Sequence, residues 1–155
     1  MVKVQAKKVT AGSGNKLVVV LVRGLIDLSK DVKDTLAMLR LFRKNQAVIV
    51  DNNTPTVKGM IIKVKDCVTW GEIDDATVKE LVEKRGELFL ARKTDVKKKY
   101  KYATFSFNGN DYKPYFRLNP PRKGFGRKGI KMPFGVGGGL GYRGEKINDL
   151  IKRML

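Results

Sequence analysis

The run Leu17 to Val22 (LVVVLV) constrains the fold more than any other stretch of the chain. Six consecutive apolar residues, four of them β-branched, leave no polar face, so this reads as a strand buried on both sides and ended by Arg23-Gly24. It is the longest apolar run present. A membrane span needs about 20 such residues and a signal-peptide core at least about 7, so a soluble, cytoplasmic protein is expected.

Other elements follow by pattern. Ser29 is placed to cap a helix from Lys30 to about Lys44, with Asp31 and Asp34 near its positive end, Val32, Leu36 and Leu39 on one face, and Asn45 as its stop. Ala47–Val50 predicts a second strand, and Asp51–Pro55 (DNNTP) a turn. Val57, Met60, Ile61 and Val64 have the i, i+3, i+4, i+7 spacing of a short amphipathic helix. Cys67–Trp70 predicts a third strand broken by Gly71. Asp74 then caps a helix in which Val78, Leu81 and Val82 share a face before Arg85-Gly86. This strand–helix alternation predicts an α+β fold with helices packed on one side of a small sheet.

Beyond residue 88 the pattern weakens, although Asn108-Gly109 is suited to a hairpin turn. Arg117 to Arg143 holds eight glycines, seven Lys or Arg and no acid, a composition that cannot build a core of its own. After it, Ile147, Leu150, Ile151, Met154 and Leu155 predict an amphipathic helix that packs back, pinning the basic segment at both ends. The expected organisation is a basic arm over 1–16, a globular domain over 17–92 and a basic extension over 93–155.

Charge points to a polyanion. The 33 Lys and Arg against 15 acids give +18. Residues 1–92 carry 17 against 11 (net +6), while residues 93–155 carry 16 against 4 (net +12). The single cysteine, Cys67, rules out an intrachain disulfide and a Cys-based zinc cluster, and the absence of histidine removes the usual general base. No catalytic residue, metal ligand, cofactor or small-molecule substrate is expected. GLGYRG (Gly139–Gly144) fits G-x-G-x-x-G but follows Gly and Pro rather than a buried strand, with no acid about 20 residues on. Gly124 and Gly129 have the P-loop spacing, yet Ile130 stands where Lys is required. Glu72, Asp74 and Asp75 are explained by the dipole of the helix they precede.

Candidate contacts fall in two groups. Lys58 near a helix N-terminus is unfavourable unless an anion bridges it to the backbone, Gly59 permits close approach, and Lys63 and Lys65 follow. In the extension, Arg117, Arg122, Lys123, Arg127, Lys128, Lys131 and Arg143 can grip phosphates. Phe125, Phe134 and Tyr142 offer faces to unpaired bases. At the end of the first helix, Arg40, Arg43 and Lys44 serve its negative pole as readily as a ligand.

The strings GMIIKVKDCVTWGEID (Gly59–Asp74), KRG (Lys84–Gly86), FRLNPPRKG (Phe116–Gly124) and GGGLGYRGEKINDLIKRML (Gly137–Leu155) resemble the archaeal members of the universal ribosomal protein L thirty family, whose eukaryotic relatives are called L seven. The resemblance covers roughly residues 17–92 and 114–155. It implies a three-stranded antiparallel sheet with helices, related to the ferredoxin-like fold. It also implies no enzymatic activity, and a role in binding large-subunit rRNA and stabilising the subunit. The contacts it implies are Lys58, Gly59, Met60 and Lys63, and Arg117, Arg122, Lys123, Gly124 and Arg143. Neighbouring ribosomal proteins and 5S rRNA are further partners that it leaves open. Asn119 stands where archaeal members usually carry His, and 93–115 is shorter and rewritten. The alternative from charge alone is a free nucleic-acid-binding factor, such as a DNA-compacting protein or RNA chaperone.

Overall fold

A computed structural model describes residues 16–155. The arm lies outside the described residues except Lys16, which is instead the first residue of a strand. In chain order the elements are β1 (Lys16–Leu21), α1 (Lys30–Met38), β2 (Gln46–Asp51), α2 (Pro55–Lys63), β3 (Val68–Glu72) and α3 (Asp75–Arg85). They continue as β4 (Phe105–Phe107), β5 (Asn110–Tyr112), β6 (Phe116–Arg117), β7 (Gly141–Tyr142) and α4 (Ile147–Met154).

β1 is central. It pairs antiparallel with β2 and β3, setting Val19 opposite Val48 and Trp70. This three-stranded antiparallel core is widened by two short strands from the extension, β6 antiparallel to β2 and β7 parallel to β3, for an order of β6-β2-β1-β3-β7.

Helices cover both faces of the sheet, not one as the element order suggested. Val18, Val20 and Val22 pack with Val78, Leu81 and Val82 of α3 and Ile147, Leu150, Ile151 and Met154 of α4. Leu17, Val19 and Leu21 pack the other way, with Leu36 and Leu39 of α1 and Ile61 and Val64 of α2. The cause is the apolar run itself. With both sides of β1 fully apolar, each side chain left open to water would forgo about 1.5–3 kcal/mol of burial.

α1 is shorter than its periodicity predicts. Arg40 takes φ 60, its N–H bonds Ala37 O at 2.9 Å, and Leu41 N–H bonds Leu36 O at 2.9 Å. This is a Schellman closure with Leu41 packed on Leu36, so Arg43 and Lys44 lie past the helix rather than on its last turn. Ser29 and Asp74 do occupy the N-cap positions, but neither side chain caps. Asn148 of α4 takes over at α3, its Oδ1 accepting from Asp74 N–H at 3.1 Å while Nδ2 donates to Glu72 O and Glu145 O.

Gly71 lies inside β3 and does not break it. A Cβ there would stand 2.2 Å from Gly144 O and 3.0 Å from Ile147 Cβ, so the missing side chain lets the entry to α4 press against the sheet. The predicted hairpin is present as β4–β5, with Asn108 at φ 48 and Gly109 at φ 83, the positive angles a tight primed turn requires.

Candidate nucleic-acid interface

α2 buries Ile61 and tucks in Val57 and Met60 at its inner side, leaving Lys58, Gly59, Ile62 and Lys63 outside; Lys65 is exposed just beyond the helix. Pro55 opens the helix and no acid occupies its first turn. Gly59 is notable energetically. Glycine in a helix interior costs about 1 kcal/mol relative to alanine, yet a Cβ here would meet nothing within 4 Å. Nothing among the described residues asks for glycine at this position.

In the extension, Arg122, Lys123 and Gly124 form a rigid turn displayed by α4. Lys123 and Gly124 take φ 65 and 74, and Arg153 Nη1 donates to Arg122 O at 3.1 Å and Gly124 O at 2.9 Å. The Arg122 N–H returns a bond to Arg153 O at 3.1 Å. Arg127, Lys128 and Lys131 are exposed beyond it. Arg117 is exposed on β6, over the Tyr115 ring and 3.8 Å from Glu87. Glu87 is already bonded to Lys113, which holds its carboxyl below the usual range. Among the described residues, Lys58, Lys63, Lys65, Arg122, Lys123, Arg127, Lys128 and Lys131 make no ion pair within 4 Å.

Arg143 does not belong with them. Only 6% exposed, it donates from Nε to Thr69 Oγ1 at 2.9 Å and from Nη2 to Phe125 O at 2.6 Å and Gly139 O at 3.2 Å, and it lies 4.5 Å over the Phe134 ring. Burial lowers its pKa to about 10, so it remains a cation at neutral pH. It clamps the extension to β3. The phosphate grip expected of Arg143 is therefore corrected to an internal one, because its donors are directed inward.

The aromatic rings divide similarly. Phe125 is buried in the core and Phe134 is half-buried beneath Arg143 and Lys146. Of these three rings only Tyr142 is broadly exposed, at 56%, and it stands beside Trp70 with ring centroids 6.5 Å apart. Trp70 escaped notice as a site residue. The available signal was its i, i+2 relation to Glu72, which puts a polar group on the same face of the strand as the only tryptophan. The acidic trio does not form a site: Glu72 accepts from Tyr142, whereas Asp75 pairs with Lys16.

The two basic groups lie over opposite faces of the sheet. α2 belongs to the layer with Leu17 and Val19, while the extension packs through Leu118, Phe125 and Leu140 into the layer with Val18 and Val20. They approach at the β7 margin, where Lys58 and Tyr142 line one cavity.

Comparison with known proteins gives a consistent result. The family model described as ribosomal protein L30p/L7e matches residues 17–68. Large ribosomal subunit protein uL30 of Nanoarchaeum equitans is 45% identical over 148 residues, covering 86% of this chain and 95% of the relative. The proteins of the same name from Methanopyrus kandleri and Methanococcus maripaludis are each 42% identical, covering 86% and 88% of this chain and 99% and 97% of their own lengths.

Proposed function

Because this chain belongs to the ribosomal protein L30p/L7e family, a structural and non-enzymatic one, we propose that it is a constituent of the large ribosomal subunit that binds and stabilises rRNA through two separate basic surfaces. The first surface is Lys58, Gly59, Lys63 and Lys65, with the half-buried Met60 beneath them. The second is Arg117, Arg122, Lys123, Gly124, Arg127, Lys128 and Lys131. The observation that carries this reading is that, Arg117 apart, the cations of both surfaces are exposed and make no ion pair among the described residues, and that they are carried on a helix and beside a clamped turn. Cations carried on an already ordered backbone meet phosphates without the cost of ordering the chain, and the counterions released make binding strongly salt-dependent. Gly59 supports it, since its cost is recovered by close approach of an RNA backbone. Surfaces on opposite faces suit a protein wedged between two RNA segments, fixing their separation during subunit assembly. Neighbouring ribosomal proteins and 5S rRNA are candidate further partners, and the ribosome's cytoplasmic location is the expected one.

Deleting Arg117–Arg143 would be a poor test, since Phe125 and Leu140 lie in the core. Changing Arg122, Lys123, Arg127, Lys128 and Lys131 together to Gln keeps the core intact. The salt slope of binding to large-subunit rRNA should then fall by up to about 1 for each phosphate no longer neutralised. An unchanged affinity and slope would refute the second surface, and a cellular pool sedimenting apart from large subunits would favour a free nucleic-acid-binding factor.

A further inference from the structure

At the β3–β7 margin, a cavity of about 340 Å³ offers chemistry that phosphate neutralisation does not use. Its walls include Asn52, Lys58, Ile62, Trp70, Glu72 and Tyr142. Its size falls within the range of small-ligand sites, about 300–1,000 Å³. Trp70 and Tyr142 are adjacent across the strand pairing, and their planes are inclined by 48°, so the two rings do not close on each other as a stack. Ile62 in the wall is 61% exposed, an apolar side chain left largely open to solvent. Tyr142 Oη lies 2.8 Å and 2.9 Å from the two oxygens of Glu72. One hydroxyl carries one proton, yet it occupies the edge that the two oxygens share, so a ligand with two parallel donors would bind Glu72 by taking that edge over from Tyr142. The same hydrogen bond raises the Tyr142 pKa, keeping the phenol protonated.

We propose that this cavity takes an unpaired RNA base, guanine in preference to the others, stacked on the Tyr142–Trp70 pair, its Watson–Crick edge replacing the Tyr142 hydroxyl on Glu72 and its phosphate near Lys58. Guanine alone presents two adjacent donors on that edge, N1–H and N2–H, which match two carboxylate oxygens. Adenine and cytosine place an acceptor beside their single donor group, and uracil flanks its one donor with two carbonyls, so each sets a lone pair against the carboxylate. This inference rests on the RNA-binding reading above and assigns one cavity a base.

Trp70 is the only tryptophan, so its fluorescence reports on the cavity directly. The full chain is titrated with the single-stranded RNA pentamers UUGUU, UUAUU, UUCUU and UUUUU. Saturable quenching is expected, with UUGUU binding at least about tenfold more tightly than UUUUU, the scale of one paired base contact. Glu72→Gln should erase that preference, Tyr142→Ala should abolish quenching, and Tyr142→Phe, which keeps the ring and frees the carboxylate, should retain both. Equal quenching by all four pentamers, no quenching, or a preference surviving Glu72→Gln would overturn the proposal. Large-subunit rRNA binding with a steep salt slope but silent Trp70 would refute the cavity alone. Guanine-selective quenching without affinity for large-subunit rRNA would support the cavity and refute the ribosomal reading.

Discussion

Arg143→Ala distinguishes an internal clamp from a phosphate contact, because the two roles predict opposite results in two assays. The guanidinium makes three hydrogen bonds, to Thr69 Oγ1, Phe125 O and Gly139 O, and sits over Phe134. Bonds from a charged donor contribute about 1.5–3 kcal/mol each. Burying the cation costs several kcal/mol in return, as its lowered pKa of about 10 indicates. The alanine variant also leaves two buried carbonyls without these donors. A net destabilisation of about 3 kcal/mol follows, which for a chain of this size lowers the melting temperature by roughly 6–12 °C. Thermal unfolding followed by circular dichroism should show that drop, while rRNA binding measured well below the transition keeps its salt slope. Arg122→Ala should behave conversely, with an unchanged melting temperature and a shallower slope. If Arg143→Ala left the melting temperature within about 2 °C and reduced the slope by about 1, the clamp would be refuted and the residue returned to the RNA-binding surface.

Three further outcomes are expected. Gly71→Ala drives a methyl into Gly144 O and should cost about 1–3 kcal/mol, with faster proteolysis of residues 117–143 in the folded protein; unchanged cleavage would contradict the close packing there. Cys67 is buried, and burial raises its thiol pKa, so alkylation of the native protein at pH 8.5 should be limited by unfolding. The unfolded thiol ionises first, so stability falls as pH rises past about 8.5, a component absent from Cys67→Ala and measurable by urea titration. Gly109→Ala forces an L-residue to φ 83 at about 1–2 kcal/mol, and amide exchange over residues 105–112 should accelerate while the main sheet stays protected.

What could be read in advance was whatever depends on neighbours in sequence. The apolar run at 17–22, the spacing of Val57 to Val64, the Asn108-Gly109 turn and the terminal helix all declare themselves within a few residues. Family strings supplied the fold and its ribosomal setting. Features that depend on distant partners were not legible. Arg143 and Arg122 occupy the same glycine-rich, acid-free stretch, and it is the folding of Phe125 O and Gly139 O around Arg143, with Thr69 arriving from β3, that makes one inward and leaves the other outward. Likewise Gly71 resembles a strand breaker until Gly144 is seen packed against it. The end of α1 was missed because Arg40 takes the left-handed position that glycine or asparagine ordinarily marks.

β6 and β7 have a consequence for how the molecule is made. Synthesis runs from β1 toward α4, so β2 and β3 are complete long before residues 116–117 and 141–142 exist to lie beside them. Throughout that interval the edge positions they later cover, Gln46 and Ala47 of β2 and Thr69 and Trp70 of β3, are open to pairing with another copy. The final layer of α4 is likewise missing from one side of β1. Products truncated before β7 should therefore self-associate at concentrations where the full chain is dispersed. On that outcome the late-made portion would serve as the protein's own safeguard against aggregation.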